Sequence, residues 1–218
     1  MVLGDEQIER YSRQIIVPRI GGHAQERLLG SHLVLAGSLE AITGPLAYLV
    51  GAGVGTIRLA VADDPSPVAD LVARMSNLNP DVIVSAGLND GVDAASDLLF
   101  AILSGKPALD AIRALPERAL CGPSVTVRLD NPPRIAILPS PAPCLRCAAD
   151  GELLAPLCAR GENSRFPTML ACVEALKLLA GYEPATAPSI IEFDGYVSRV
   201  KPAACVAGVR CACGGEAK

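Results

Sequence analysis

Short apolar segments alternate with segments of helical periodicity along most of the chain. The apolar segments predict strands at residues 32–37, 56–61, 81–87 and 97–103. Helices are predicted at residues 43–55, 66–79, 106–117 and 166–181, each of which carries a proline near its start. Two later pairs of apolar segments, within 124–139 and 189–201, predict hairpins, the second around Asp194-Gly195. This order indicates an α/β fold: a Rossmann-like, mostly parallel sheet with helices on both faces and an antiparallel C-terminal extension.

Composition narrows the class of protein. The chain has 218 residues, of which 50% are hydrophobic and 19% are charged, so we expect one globular domain over residues 1–218. The net charge is −4 and no run of Lys or Arg occurs, which argues against a nucleic-acid partner. No signal peptide and no apolar stretch of about 18 residues is recognised, so we expect no membrane association, a cytoplasmic location and reduced cysteines.

The N-terminal segment ERYSRQIIVPRIGGHAQERLLGSHLVLAG carries the most specific pattern. It resembles the start of the MoeB/ThiF/HesA proteins, relatives of the ubiquitin-activating enzymes, which open with R-Y-x-R-Q-I, then I-G, then Q-x-x-L. The matching positions are Arg10, Tyr11, Arg13, Gln14, Ile15, Ile20, Gly21, Gln25 and Leu28. The resemblance continues in order through residues 48–59, 78–84, 143–147 and 174–181. It implies adenylation of the C-terminal Gly-Gly of a small ubiquitin-like sulfur carrier, with ATP and magnesium.

The segment expected to hold phosphate departs from the family pattern. The first loop glycine matches Gly37, but the second falls on Leu39 and the third near Ile42. Side chains at those two positions would block the close approach of a triphosphate to the backbone. Glu40 adds a negative charge at the same place.

Other positions that the resemblance assigns to nucleotide binding also differ from the family pattern. The acid that holds the ribose falls on Val61, with Asp63 and Asp64 as poor substitutes, and the magnesium-binding acid falls on Ala101 or Ser104. The family's S-N-L-x-R-Q segment is absent, because Ser76–Asn79 corresponds to the later L-N-P segment. Arg13 matches the arginine that reaches into a partner's ATP site, and a surface or interface role is its plainer interpretation. Gly37 and Asp63 are therefore the candidates for a degenerate nucleotide site, and ATP and magnesium are doubtful.

The cysteines suggest a separate structural site. Cys144 and Cys147 form a C-x-x-C pair, and the tail adds Cys211 and Cys213, with Cys205 as a substitute for either tail ligand. Four thiolates would hold a structural zinc ion with no open position, although free thiols are the alternative.

Three further cysteines lie outside that predicted zinc set. Cys158 lies where some relatives carry a cysteine that accepts persulfide or a thioester, and an ordinary loop cysteine is equally consistent. Cys172 is expected in the core and Cys121 at a buried strand end.

Two functions follow from these departures. The favoured hypothesis is a family member without normal ATP-dependent adenylation, which acts as a binding partner or as a homo- or heterodimer subunit in sulfur-carrier activation. The alternative is an active adenylyltransferase with a rearranged ATP site, in which Arg13, Asp63 and Cys158 take part. An ordinary dinucleotide-dependent oxidoreductase fits worst, since it also needs the glycine turn and an acid at the end of the second strand.

Overall fold

The computed structural model describes residues 3–18, 20–61, 63–87, 96–139, 145, 165–182, 185, 187–193 and 198–202. Its helices are α1 Asp5–Ile15, α2 Gly21–Leu29, α3 Leu39–Ala52, α4 Pro65–Leu78, α5 Lys106–Arg113, α6 Glu117–Leu120 and α7 Arg165–Ala180. Its strands are β1 His32–Gly37, β2 Thr56–Val61, β3 Ile83–Ala86, β4 Leu98–Leu103, β5 Ser124–Arg128, β6 Arg134–Leu138, β7 Ser189–Phe193 and β8 Ser198–Pro202. None of the helices in these ranges combines the length and the apolarity needed to cross a membrane.

The eight strands of the described ranges form one sheet in the order β3-β2-β1-β4-β5-β6-β7-β8. The first five strands of this order are parallel, and β6, β7 and β8 continue the sheet in antiparallel pairs. The predicted α/β fold, with its antiparallel C-terminal extension, is confirmed. The strand order reverses between β1 and β4, and at this switch point open α/β sheets usually bind their ligands.

Alternating residues of the central strands supply two hydrophobic clusters, one on each face. On β1, Leu33 and Leu35 face the cluster that α2, α3, α4 and α7 cover, whereas Val34 and Ala36 face the cluster that α5 and α6 cover. Strand β4 is buried at every position, as its continuous apolar sequence predicts. The sheet is thus rigidly covered on both sides near the switch point, which fixes the positions of the loops that follow β1 and β4.

Several predicted boundaries were wrong. α3 begins at Leu39, four residues before the predicted Thr43, so Pro45 lies inside the helix and not in its first turn. α4 begins at Pro65 with Asp64 as its N-cap, not with Ser66, and Leu78 at its end is exposed. The predicted helix at 106–117 ends at Arg113 and is followed by the separate short helix α6. The turn at Asp194-Gly195 lies outside the described residues.

The two N-terminal helices, α1 and α2, come from the segment that carries the family motif. At the N-terminus of α1 the Gln7 side chain accepts a hydrogen bond from the Gly4 amide at 3.2 Å, which is half of a capping box, because glycine has no side chain to supply the other half. Neither helix was predicted from the sequence, although the apolar residues Ile8, Tyr11 and Ile15 of α1 follow helical spacing. Their long-range contacts, described below, explain why they form.

Candidate site at the switch point of the sheet

The connection between β1 and α3 is short. β1 ends at Gly37, and α3 begins at Leu39, so Ser38 alone separates the two elements. A Cβ atom on Gly37 would lie 3.0 Å from Cγ2 of Ile42 and 3.1 Å from the carbonyl oxygen of Ile102. Glycine at position 37 therefore permits close packing of α3 against β4, and this packing requirement is sufficient to explain it.

The predicted glycine-poor loop is in fact the first turn of α3. Ser38 has extended backbone angles, after which the chain turns directly into the helix. Ile42 is fully buried in the core and Leu39 packs partly against the same core, so the expectation that both side chains obstruct a phosphate loop was wrong for Ile42. The early helix start is the reason, because it turns Ile42 toward the core together with Leu46 and Leu49.

Two polar contacts bridge the crevice around this turn. The hydroxyl groups of Ser38 and Ser104 lie 2.9 Å apart and join the loops that follow β1 and β4. On the other side, the amide of Leu39 donates a hydrogen bond to Oδ2 of Asp63 at 2.7 Å, which joins α3 to the residues after β2. The switch point is thus spanned by the chain's own side chains on both sides of Ser38.

The charges around the turn are unfavourable for a polyphosphate. Glu40 lies in the first turn of α3 and is exposed, and Asp63 places a second carboxylate on the amide of Leu39. Negative groups stabilise a helix N-terminus, and here the protein supplies them itself. A triphosphate would have to approach two carboxylates in the same region, and like charges repel.

The remaining predicted nucleotide positions lack an acid in the crevice. β2 ends at Val61, and Asp64 serves as the N-cap residue of α4 without a side-chain cap bond. Ala101 is fully buried inside β4, and Ser104 follows that strand. Asp110 lies within α5 and is exposed. These residues do not provide the donor set that an ATP–magnesium complex requires, so the geometry does not fit that cofactor.

A second cleft of about 420 Å³ opens beside this turn, between α3 and α7. Glu40 and Arg165 carry the charges of its lining, and Leu129, Pro45 and Met169 contribute apolar surface. It lies on the α7 side of α3, whereas the contact with Asp63 joins α3 to the β2–α4 connection. This cleft offers room for a rearranged ligand site next to the switch point.

The family motif of the N-terminus forms a hydrogen-bonded brace, which comprises Tyr11, Gln25, Asn79 and Asp81. Tyr11 is 1% exposed, and its hydroxyl donates to Oδ2 of Asp81 at 3.1 Å. Nδ2 of Asn79 donates to the Tyr11 hydroxyl at 2.9 Å and to the carbonyl oxygen of Val50 at 2.7 Å. Nε2 of Gln25 donates to the carbonyl oxygen of Ala52 at 3.0 Å. Burial, the largest cause, raises the pKa of Tyr11, so its hydroxyl stays protonated.

Glycines near the end of α3 permit the backbone to lie close to this brace and to α2. Gly53 has a φ of +86°, and a Cβ atom there would lie 2.8 Å from the Tyr11 hydroxyl and 2.7 Å from Nε2 of Gln25. A Cβ atom on Gly55 would overlap the carbonyl group of Leu29 at the end of α2. Packing of α1 and α2 against the end of α3 therefore explains the glycines at positions 53 and 55.

Arg13, the predicted site residue of α1, is exposed and lies away from the switch point. It lines a largely apolar groove of about 580 Å³ between the N-terminal helices, α3 and α7. Three side chains of this groove are unusually exposed for apolar residues: Val17, Tyr48 and Val173, at 39%, 48% and 40%. The structure does not bring Arg13 together with Gly37 or Asp63.

The predicted zinc ligands Cys144, Cys147, Cys205, Cys211 and Cys213, and the candidate nucleophile Cys158, lie outside the described residues. Within the described residues, no group of three or more metal-binding side chains occurs. These cysteine assignments stay predictions.

Two cysteines, Cys121 and Cys172, lie within the described residues, and neither forms a disulfide there. Cys172 is fully buried, as predicted, and burial raises the pKa of its thiol to about 12. Cys121 is only partly buried and lies between α6 and β5, so its placement at a buried strand end was wrong.

Known proteins resemble this chain over most of its length. The adenylyltransferase and sulfurtransferase Uba4 of Aspergillus niger is 26% identical over 247 residues, covering 88% of this chain and 49% of Uba4. The vegetative HesA protein of Trichormus variabilis is 28% identical over 228 residues, covering 88% and 83%. The ThiS adenylyltransferase of Escherichia coli is 28% identical over 249 residues, covering 98% of both chains. These relatives confirm the resemblance to the MoeB/ThiF/HesA family.

The structural comparison agrees on the fold. The crystal structure of MccB from E. coli superposes on 93% of this chain and 73% of MccB, with a TM-score of 0.65 at 14% sequence identity. This MoeB/ThiF-like chain spans about half the length of its Uba4 relatives. No protein-family model matches the sequence.

Proposed function

We propose that this protein is a MoeB/ThiF/HesA family member that does not adenylate a carrier in the normal ATP-dependent way and acts as a binding or dimer subunit in sulfur-carrier activation. The observation that carries the proposal is the bridged switch point. Ser38 and Ser104 are joined across it at 2.9 Å, and Asp63 accepts from the Leu39 amide at 2.7 Å. The crevice in which an open α/β sheet binds its ligand is thereby closed by contacts within the chain.

The residues of this crevice also do not supply the positive charge that adenylation chemistry needs. Transfer of an adenylyl group requires cations or a metal ion to balance the charge that develops on phosphate. Position 104 offers a hydroxyl that is bonded to Ser38, and the start of α3 offers the carboxylates of Glu40 and Asp63. No step is therefore assigned to ATP at this crevice.

The groove around Arg13 supports the subunit role. Clusters of exposed apolar side chains on a folded chain are typical of interaction surfaces. Val17, Tyr48 and Val173 lie around the groove, and Arg13 adds positive charge, whereas Lys177 is paired with Glu174 at 3.0 Å. A second family chain, whether identical or a paralogue, would cover this surface, and an acidic residue of that chain would complement Arg13. The carrier itself belongs to the class named in the relatives, a small sulfur carrier such as ThiS.

A structural zinc ion remains part of the proposal. It would be held by Cys144, Cys147, Cys211 and Cys213, with Cys205 as the alternative tail ligand. Metal analysis of the purified full chain should give one zinc ion per chain. Replacement of Cys144 and Cys147 by serine should abolish it, whereas replacement of the buried Cys172 by alanine should leave it unchanged.

Nucleotide binding and pyrophosphate exchange test the central claim. We expect no heat of binding for ATP–magnesium at millimolar concentration, and no carrier-dependent exchange of pyrophosphate into ATP. The E. coli ThiS adenylyltransferase with ThiS serves as the positive control. Exchange above background with any Gly-Gly-ended carrier would overturn the proposal and favour an active enzyme.

The alternative function is an adenylyltransferase with a rearranged ATP site, and the cleft of about 420 Å³ between α3 and α7 favours it. Arg165 lines this cleft and could supply the positive charge that the crevice lacks. If ATP binds and an Arg165→Ala variant loses that binding while an Arg113→Ala variant keeps it, the rearranged site is the correct one.

The subunit role has its own test. Light scattering should give at least twice the chain mass of 22.5 kDa for the full chain or for its mixture with a paralogue. A Tyr48→Glu variant, which places a charge in the groove, should shift the mass to that of the monomer. Assembly that is insensitive to this variant would move the interface elsewhere.

A further inference from the structure

We draw no further inference here: the strongest candidate, the edge strand β3 with its exposed Ile83 and the exposed Leu78 at the end of α4, carries no proposal because nothing in the described residues shows what covers this edge of the sheet.

Discussion

The N-terminal brace and the switch-point crevice both contain positions of the family motif, and the two regions differ in what they have kept. In the brace, Tyr11, Asn79 and Asp81 match the family and bond to one another across more than sixty residues of sequence, with separations of 68 and 70. In the crevice, most of the expected glycines and acids are other residues, and Ser104 and Asp63 bond to Ser38 and to the Leu39 amide. The family pattern is thus present where its residues make structural contacts and absent at the positions that the resemblance assigns to the nucleotide.

Helix α3 connects the two regions and explains why one constrains the other. Its C-terminal end offers the carbonyl oxygens of Val50 and Ala52 to the brace, and its N-terminal end closes the crevice. Its middle is fixed by the core, through Ile42, Leu46 and Leu49, all fully buried. Because a helix is stiff, anchoring of its end and middle sets the position of its first turn.

The largest loss of stability is expected for a substitution at Gly55, which follows α3 and contacts the backbone at the end of α2. A Gly55→Ala substitution would place a Cβ atom on the carbonyl group of Leu29, and backbone cannot move aside cheaply. We expect a loss of about 3 kcal/mol or more in the free energy of unfolding, or failure to fold. Chemical denaturation measures it.

The control for that substitution is Gly51→Ala. Gly51 lies within α3, and a Cβ atom at this position would meet no neighbouring heavy atom within 4 Å. Alanine there should stabilise the helix by roughly 0.5–1 kcal/mol. Equal effects of the two substitutions would mean that the close approach of α2 to this segment is wrong.

A smaller loss of stability is expected when the Tyr11 hydroxyl, at the centre of the brace, is removed. Tyr11→Phe removes the acceptor of Asn79 and the donor to Asp81, in a buried position. The expected cost is about 1–2 kcal/mol. Tyr48→Phe, at an exposed tyrosine, should change the free energy of unfolding by less than about 0.5 kcal/mol. A Tyr11→Phe variant as stable as the wild type would show that α1 does not depend on this network.

The strands of the fold could be predicted closely because apolar segments are a local signal. β1 and β2 begin and end where the sequence predicts, and β4 differs by one residue. The start of α3 was missed because it depends on Ser38, a short connection and a core position for Ile42, not on the position of Pro45. Helix α1 was missed although Ile8, Tyr11 and Ile15 have helical spacing; only its contacts with Asn79 and Asp81, which are remote in sequence, could not be predicted.

The candidate site was predictable in part. Comparison with the family pattern identified Gly37, Glu40, Asp63 and Ser104 as the positions at issue. The contacts they make could not be predicted, because Leu39 and Asp63 are 24 residues apart and Ser38 and Ser104 are 66 apart. A hydroxyl in place of an acid indicates only that a charge is missing. It does not indicate that the hydroxyl will bridge the crevice.

The buried thiol of Cys172, where α7 packs on α3, should make the free energy of unfolding depend on pH. This dependence involves neither the brace nor the crevice. The thiol of Cys172 is buried, lies 3.9 Å from the carbonyl oxygen of Pro45, and has its pKa raised to about 12. Above about pH 9 the unfolded chain loses this proton while the folded chain keeps it, so stability falls as pH rises from about 9 to 12. Below pH 9 the contribution is constant.

A Cys172→Ala variant isolates this effect, since all other groups titrate in both chains. Whatever the cavity costs at pH 7, the stability of the wild type relative to the variant should fall by about 1 kcal/mol between pH 9 and 10. Denaturation at these pH values measures the difference. A difference that stays constant up to pH 11 would show that the thiol of Cys172 reaches water.

The smallest changes in the free energy of unfolding are expected for the two serines of the crevice. They test the contrast between brace and crevice most directly. Ser38→Ala and Ser104→Ala should each cost about 0.5–1 kcal/mol, because each breaks the same hydroxyl contact, and the double variant should cost no more than either one. Ser12→Ala, on the exposed face of α1, should be neutral. Costs that add in the double variant would mean that the hydroxyls do not bridge. The crevice between β1 and β4 would then be closed on the Asp63 side alone, and the contrast with the brace would rest on that single contact.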